Sequence, residues 1–301
     1  MGRLTARTPI TRIAVVDDEL VVRRRADTLA VEEPLEIRLS GTPLTVTMRT
    51  PGHDVELAAG FLVSESVIAA GGDVLSAIHC GGPGTGGGAT GSVGPLLTIG
   101  AEPPASAPSG NTYNVLDVTL RAGLDAPVTD IARNFYTTSS CGVCGAASIE
   151  AIEKTSRFDV AADAVTTDAV LLLGLPEKLR EGQAVFDKTG GLHAAALFDA
   201  VTGELLVLRE DVGRHNAVDK VVGWATLEGR LPLSGTVLQV SGRASFELVQ
   251  KAVMAGIPIL SAVSAPSSLA VELAAASGLT LAGFVRGASL NVYSRADRVV
   301  V

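Results

Sequence analysis

The 301-residue chain is 47% hydrophobic, 19% charged and only 4% aromatic, and its formal net charge is −8. Its length allows two ordinary domains with a sizeable core, and its acidic balance argues against a nucleic-acid partner bound through a broad basic surface. No apolar run is long enough to span a membrane and no signal-peptide core follows the first residues, so the sequence favours a cytoplasmic protein without a membrane partner.

The first third of the chain predicts several strands and one helix. β-Branched runs at 12–22 and 27–30 favour strands, and two alternating stretches separated by a glycine turn predict a hairpin over 32–48. Apolar residues at helical spacing then indicate a helix over 54–62. Residues 81–110 are dominated by Gly, Pro, Ala and Ser, a composition that cannot bury a core, so we expect a flexible surface insertion there.

A boundary between two domains is expected near residue 130. Residues 114–120 alternate as a strand, and the composition shifts at 127–132 before a cysteine motif begins. The expected division is an N-terminal α+β domain at 1–130, which carries the insertion, and an α/β domain at 131–301.

The cysteine motif, CGVC, places Cys141 and Cys144 between a strand-like run at 134–138 and a helix-like run at 146–154. A cysteine near the first turn of a helix meets unpaired N–H groups and the positive end of the helix dipole. This setting lowers the pKa of a thiol and raises the fraction of thiolate, which is the nucleophilic form. In a reducing compartment such a pair indicates reactive or metal-binding cysteines and not a structural disulfide.

The second half of the chain alternates strands with helices. Helical patterns cover 167–173 and 176–181 with an expected break at Gly174, and a hairpin is expected over 193–209. Three buried-type strands and two helices then alternate over 237–285. This βαβαβ order predicts an α/β sheet.

Three polar turns follow the strands of that series, at 241–245, 264–268 and 284–289. Strand-to-helix turns of α/β sheets are places where anions and other ligands bind. The turns supply several hydroxyl groups and two arginines, Arg243 and Arg286, which suit a phosphate. Ordinary helix N-caps and surface arginines give the same pattern, and the sequence does not separate the two interpretations at any single turn.

The segment 210–220 (EDVGRHNAVDK) is dense in ionisable side chains. If a helix begins near Val212, His215 and Asp219 share a face because they are four residues apart. The imidazole suits a general acid or base, whereas a salt-bridged helix start would show the same residues. Four side chains therefore keep open roles between catalysis, dimer contacts and helix capping: Glu210, Asp211, His215 and Lys220.

A zinc site is poorly supported by the spacing of ligand residues. Structural zinc needs four ligands, of which one CxxC supplies two, and the others would come from distant segments, namely Cys80, His79, His193 or His215. Zinc-dependent deaminases place an H-x-E ahead of a P-C-x-x-C, but His193 comes after the cysteines with no such glutamate, and Ser140 replaces the proline. The sequence therefore predicts neither deaminase chemistry nor a tightly bound metal, and it lacks the βαβ context of a thioredoxin-like dithiol.

Seven stretches have the residues and the order of known family motifs. They are EEPL (32–35), TPGHDVELAAGFL (50–62), SSCGVCG (139–145), TGGLHAA (189–195), EDVGRHNAVDK (210–220), SGRAS (241–245) and SAPSSL (264–269). In these stretches the chain resembles the formate dehydrogenase accessory sulfurtransferase (FdhD) family, and the resemblance covers nearly everything outside the termini and the 81–110 insertion. It departs from the family pattern at His53 and Ser66, where Asp and Gly are usual.

The resemblance implies a cytoplasmic sulfurtransferase. Such a protein would take a sulfane sulfur from a cysteine desulfurase as a persulfide and pass it to the molybdenum cofactor, in its bis-molybdopterin guanine dinucleotide form, before that cofactor enters formate dehydrogenase. The resemblance also implies a small α+β domain followed by a cytidine-deaminase-like three-layer α/β domain, and a homodimer.

The resemblance further implies which residues act. Cys141 would carry the persulfide and Cys144 would be secondary. The stretch 284–289 matches the family's nucleotide-binding segment, and the first polar turn of the βαβαβ series joins it as a candidate. The expected cofactor-binding residues are Phe284, Val285, Arg286, Gly287, Ala288, Ser289, Ser241, Gly242, Arg243 and Ser245.

A non-catalytic role is the main alternative. The chain would then be a chaperone that holds the cofactor or formate dehydrogenase, and the CxxC would be structural. Loss of Cys141 would leave such a function intact, whereas it would abolish sulfur transfer.

Overall fold

The computed structural model describes residues 3–80, 113–124 and 156–301. The predicted insertion at 81–110 and the motif of Cys141 and Cys144 lie outside the described residues, as does the expected boundary near residue 130. Within the described ranges the chain has the mixed α+β architecture that the sequence predicts.

The N-terminal residues form two separate β-sheets and one helix. The elements are β1 (Thr5–Val16), β2 (Glu19–Ala30), β3 (Glu33–Leu39), β4 (Thr42–Arg49), α1 (Asp54–Ser64), β5 (Val74–His79) and β6 (Val115–Leu120), with a 3₁₀ turn at Gly71–Asp73. β1 and β2 pair as a long antiparallel hairpin, and the other four strands form a sheet in the order β4-β3-β6-β5. The hairpin predicted over 32–48 is confirmed as β3 and β4.

One face of this four-stranded sheet forms part of the core. Leu35, Ile37 and Leu39 are buried and alternate along β3 with more exposed residues, as expected for a strand covered on one side. Leu57 and Leu62 of α1 belong to the same hydrophobic cluster. The helix therefore covers the sheet face that β3 turns inward.

The second half is organised around a six-stranded sheet. Its elements are α2 (Ala169–Glu181), α3 (Phe186–Thr189), β8 (His193–Asp199), β9 (Leu205–Asp211), α4 (Arg214–Leu227), β10 (Thr236–Val240), α5 (Phe246–Met254), β11 (Ile259–Ala262), α6 (Ser268–Ser277), β12 (Thr280–Arg286) and β13 (Ser289–Ser294). Two short strands, β7 (Thr167–Asp168) and β14 (Val299–Val300), pair with each other, and 3₁₀ turns occupy Val160–Ala162 and Ala296–Arg298.

The strand order of this sheet is β13-β12-β11-β10-β8-β9. β10, β11 and β12 run parallel and are joined through α5 and α6, which confirms the predicted βαβαβ series. β8 and β9 form the predicted antiparallel hairpin, and β8 also pairs antiparallel with β10. The carboxyl ends of the three parallel strands therefore meet at one edge, next to the start of β8.

Helices cover both faces of the six-stranded sheet. Along β8, Ala194, Ala196 and Phe198 pack in the cluster that contains α2, while Ala195 and Leu197 pack in the cluster that contains α4, α5 and α6. Successive side chains of a strand point to opposite faces, so this alternation gives three layers, helix, sheet and helix.

The expected break in α2 at Gly174 is wrong, because the helix is continuous through Gly174 and Pro176. Asp168 caps its first turn by accepting hydrogen bonds from the N–H groups of Val170 and Leu171. A proline inside a helix removes a hydrogen bond and favours a kink. Here the buried leucines of α2, which pack on the sheet, outweigh that local preference: Leu172, Leu175 and Leu179.

The two halves of the chain meet where α1 crosses α4. A Cβ added at Gly60 would overlap the backbone carbonyl of Asp219, and one added at Gly223 would overlap that of Glu56. The two backbones thus approach within a distance that only glycine permits.

His53 and Ser66, the two departures from the family pattern, have left-handed backbone conformations, with φ of 57° and 61°. Glycine adopts this region freely and Asp tolerates it better than most residues. The backbone therefore gives a physical reason for the Asp and Gly that are usual at these positions.

Candidate functional site

The main cavity of the described residues, of about 710 Å³, lies at the carboxyl edge of the parallel strands. Ser241 follows β10, Val263 follows β11, Arg286 ends β12 and Gly287 follows it, while His193 begins β8 at the same edge. The opposite wall comes from α2, Phe186 of α3 and the glycine pair 190–191. Crevices outside the carboxyl ends of strands are where open α/β sheets bind their ligands.

Three of the ten predicted binding residues line this cavity together, Ser241, Arg286 and Gly287. The Ser241 hydroxyl accepts a hydrogen bond from the Ala194 N–H at 2.9 Å, which fixes the end of β10 to β8. Gly242 lies beside His193, since a Cβ added there would stand 3.6 Å from the imidazole Nδ1.

The other predicted binding residues lie outside the wall of the cavity. Arg243 is exposed, and the Ser245 hydroxyl lies 3.3 Å from Nε2 of His215. Val285 is fully buried in the core. Ala288 and Ser289 are exposed at the turn into β13.

An irregularity in β12 sets the position of Arg286. The register with β13 shifts between Gly283 and Arg286, and Phe284 has a left-handed φ of 52°, a conformation uncommon for a non-glycine residue. The Arg286 guanidinium lies 5.6 Å from the centroid of the Phe284 ring. The bulge and the ring together hold this cation at the mouth of the cavity.

His193 is the second ionisable group at this edge, and the sequence singled it out only as a distant zinc candidate. Burial lowers the pKa of His193, and the charges of Arg214 and His215 lower it further, while Asp211 partly opposes them. The imidazole is therefore neutral at neutral pH and can donate one hydrogen bond and accept another.

The wall formed by α2 and α3 was not predicted from the sequence. Arg180 of α2 lies over the ring of Phe186, 4.7 Å from its centroid, and pairs with Asp187 at 2.6 Å. Glu210 accepts hydrogen bonds from the N–H groups of Val185 and Phe186 at 2.9 and 2.8 Å. This reactive-looking carboxylate of the 210–220 segment thus caps α3 and positions Phe186.

The rest of the 210–220 segment joins the two halves of the chain. Asp211 and Lys220 form a fully buried ion pair at 2.6 Å. Asp211 accepts a hydrogen bond from the Thr50 N–H at 3.1 Å, and Lys220 donates to the Thr50 carbonyl at 3.0 Å. Asn216 donates to the Met48 carbonyl at 2.7 Å. These three side chains hold the loop between β4 and α1, which is a structural role.

His215 and Asp219 share a face of α4 as expected, and both meet α5. His215 lies 2.6 Å from Glu247 and lowers the pKa of that carboxyl through their hydrogen bond, while Asp219 pairs with Lys251 at 2.7 Å. Ser245 and Glu247 approach the same imidazole nitrogen, Nε2. A Ser-His-acid triad needs the acid on the opposite nitrogen, so this cluster is not one.

Of the cysteines, only Cys80 belongs to the part of the chain that the structure describes. Its sulfur is partly exposed and lies 3.7 Å from the Ile78 carbonyl. Within the same described ranges no three His, Cys, Asp or Glu residues are grouped to hold a metal ion. No helix among the described residues is long and apolar enough to cross a membrane.

The fold and the cavity together define a three-layer α/β protein whose main cavity carries cationic and hydroxyl groups at the strand ends. The model of the FdhD/NarQ family matches residues 30–300, and this chain belongs to that family. Its membership confirms the resemblance found in the seven sequence motifs.

Alignments with similar proteins extend over almost the whole chain. This chain is 60% identical over 275 residues to sulfur carrier protein FdhD of Mycolicibacterium paratuberculosis, and the alignment covers 91% of this chain and 93% of the relative. It is 54% identical over 302 residues to the protein of the same name from Streptomyces coelicolor, covering 100% and 98%. A crystal structure assigned to a formate dehydrogenase accessory protein of Desulfotalea psychrophila shares the fold, with a TM-score of 0.67 and 21% identity over 98% of this chain and 99% of that one.

Proposed function

We propose that this chain is a cytoplasmic, homodimeric sulfurtransferase that serves formate dehydrogenase. It takes a sulfane sulfur from a cysteine desulfurase on Cys141 and passes it to the molybdenum cofactor in its bis-molybdopterin guanine dinucleotide form. Support comes from the sulfur-carrier names of the relatives described above and from the CGVC motif. The observation that carries the acceptor half of the proposal is the cavity at the sheet edge.

The cavity fits one nucleotide arm of such an acceptor. Its volume lies within the range of small-molecule sites, about 300–1,000 Å³, and its apolar wall suits a base and a ribose. Arg286 supplies a guanidinium for a phosphate, and Gly287, with a φ of 59° and no side chain, lets a ligand approach the backbone. Ser241 adds a hydroxyl at the end of the neighbouring strand.

The loading step needs only a nucleophilic thiolate. Cys141 attacks the outer sulfur of the donor's persulfide, an S–S bond forms on Cys141, and the donor's S–S bond breaks so that its cysteine leaves as a thiolate. The exchange requires no external oxidant or reductant. Cys144 is the secondary member of the pair, and the residues that flank the two cysteines are small.

Intact-protein mass spectrometry after incubation with a cysteine desulfurase and cysteine tests this step. Wild type and the Cys80→Ala variant should each gain one sulfur atom, and Cys141→Ala should gain none while keeping its far-UV circular dichroism spectrum. The Cys80→Ala variant shows whether the loss is specific to the CGVC motif.

Two outcomes contradict the proposal. A persulfidated Cys141→Ala protein would move the carrier role to another cysteine. A failure of all three proteins to gain sulfur would favour the non-catalytic chaperone, with the CxxC serving only structure.

A further inference from the structure

Glu177 places a carboxylate on the wall of a cavity whose other charged groups are cationic. Glu177 of α2 lines the same space as Arg180 and Arg286. Within the described part of the chain its carboxylate has no hydrogen bond or ion pair, whereas Arg180, three residues along, is paired with Asp187. Glu177 is exposed, so water can solvate its carboxylate, but in a site for a phosphorylated ligand that charge repels phosphate.

Because of this repulsion, the phosphate end and the uncharged end of the ligand would lie against different walls of the cavity. Phosphates favour the sheet edge, where Arg286 and Gly287 lie, and an uncharged part of the ligand faces α2. A carboxylate only accepts hydrogen bonds, and its two oxygens match a pair of adjacent donors. Guanine has such a pair, N1–H and the 2-amino group, whereas adenine offers an acceptor and a donor on the same edge.

A stacking surface for a base lies on the same wall. The Phe186 ring lines the cavity and the Arg180 guanidinium covers it at 4.7 Å. Bases stack on aromatic rings and on guanidinium planes. Glu177 and Arg180 lie three residues apart on α2 and so share a face of the helix, and Glu210 fixes Phe186 through its backbone N–H. Glu210 therefore fixes the residue that carries the stacking ring, and the carboxylate is carried by a helix.

We propose that Glu177 is the residue that selects guanine, by accepting the N1–H and 2-amino hydrogen bonds of a base stacked at Phe186 and Arg180. This inference rests on the proposed function and adds to it the residue that distinguishes a guanine nucleotide from other nucleotides.

Nucleotide binding by the full chain tests this assignment. Isothermal titration with GDP, IDP and ADP isolates the contributions of the base, because IDP differs from GDP only by lacking the 2-amino group. Wild type should bind GDP at least about tenfold more tightly than IDP, as expected for a hydrogen bond to a charged acceptor, and ADP more weakly still. In Glu177→Gln the ratio of GDP to IDP affinity should fall to about one to three, because an amide has only one acceptor oxygen.

Two further variants separate base selection from general binding. Glu181→Gln changes an exposed acid one turn along α2 that does not line the cavity, and it should keep the wild-type ratio. Arg286→Ala should weaken GDP and IDP by the same factor, leaving their ratio unchanged, since it acts on the phosphate end.

The outcomes distinguish this inference from the proposal on which it rests. An unchanged ratio in Glu177→Gln, with GDP still bound by wild type, overturns the role of Glu177 and leaves the sulfurtransferase proposal standing. Equal affinities of wild type for GDP, IDP and ADP also overturn it. Absence of GDP binding to wild type overturns both the role of Glu177 and the nucleotide part of the proposed function, whereas the sulfur-loading test is unaffected.

Discussion

At the scale of single residues, the surroundings of His193 determine the protonation state of its imidazole. Burial and the nearby charges of Arg214 and His215 lower the pKa of His193 in the folded protein. Below the ordinary value, about 6.5, the unfolded chain therefore binds more protons at this position than the folded one. By linkage the stability that His193 contributes is present at neutral pH and declines as the pH falls below that value.

We therefore expect His193→Gln to lose less stability than wild type between pH 7 and pH 5. Urea unfolding at a series of pH values measures this as the difference between the two slopes. His79, whose pKa burial also lowers, is present in both proteins and cancels in the comparison. Parallel slopes would show that the fold tolerates a charged His193 and that the cavity edge is not electrostatically selective.

At the scale of elements, the crossing of α1 and α4 brings the two halves of the chain into close backbone contact. Gly223→Ala adds a Cβ against the carbonyl of Glu56 and the N–H of Gly60, so the helices must separate. Overpacking of this kind costs about 1–3 kcal/mol, which exceeds the gain of up to about 1 kcal/mol in helix propensity. We expect a net loss of stability in chemical denaturation.

Gly174→Ala is the matched control for this substitution. Gly174 is also inside a helix, but a Cβ added there would contact nothing within 4 Å. Only the propensity term then acts, and stability should rise by about 0.5–1 kcal/mol. If both glycines respond alike, close approach of the backbones is not what requires glycine at the α1–α4 crossing.

The elements differ in how far the sequence predicts them. The βαβαβ unit is predictable because buried strands, polar turns and helical periodicity repeat in order, and the glycine turn fixes the β3–β4 hairpin. The continuity of α2 is not predictable from the sequence. Gly174 and Pro176 favour a break in the helix locally, whereas the burial of Leu175 depends on tertiary packing.

For the same reason, only part of the candidate site can be predicted from the sequence. The turns at Ser241 and Arg286 are visible as polar residues after strands. Glu177 and Arg180 look like ordinary solvent-exposed charges on an amphipathic helix, and nothing in their spacing shows that α2 faces a cavity. Glu210 stands out in the sequence, but its task of capping α3 depends on a contact between residues 24 and 25 positions apart.

At the scale of the whole molecule, a buried ion pair couples the N-terminal unit to the α/β unit. Asp211 is 0% and Lys220 1% exposed, and both bond the backbone of Thr50, in the loop that leads from the four-stranded sheet into α1. Arg209 adds a second link through its paired hydrogen bonds to Glu56 of α1, at 2.6 and 2.8 Å. Because these contacts cross between the units, neither unit can unfold without breaking bonds of the other.

Lys220→Met should therefore destabilise the whole protein and not one unit. It removes the partner of a buried carboxylate, a change that costs about 3–5 kcal/mol, whereas Lys188→Met at an exposed position should change stability by less than about 0.5 kcal/mol.

Trp224, the single tryptophan, lies in α4, so its fluorescence follows the α/β unit while far-UV circular dichroism follows both. We expect the two signals to give one shared transition in wild type and one shared, shifted transition in Lys220→Met, as a cooperative unit requires. Separate transitions in wild type would mean that the buried pair joins two independently folding units. If Lys220→Met lost no more stability than Lys188→Met, the hydrogen bonds from Thr50 and Asn216 would suffice to hold the Asp211 charge.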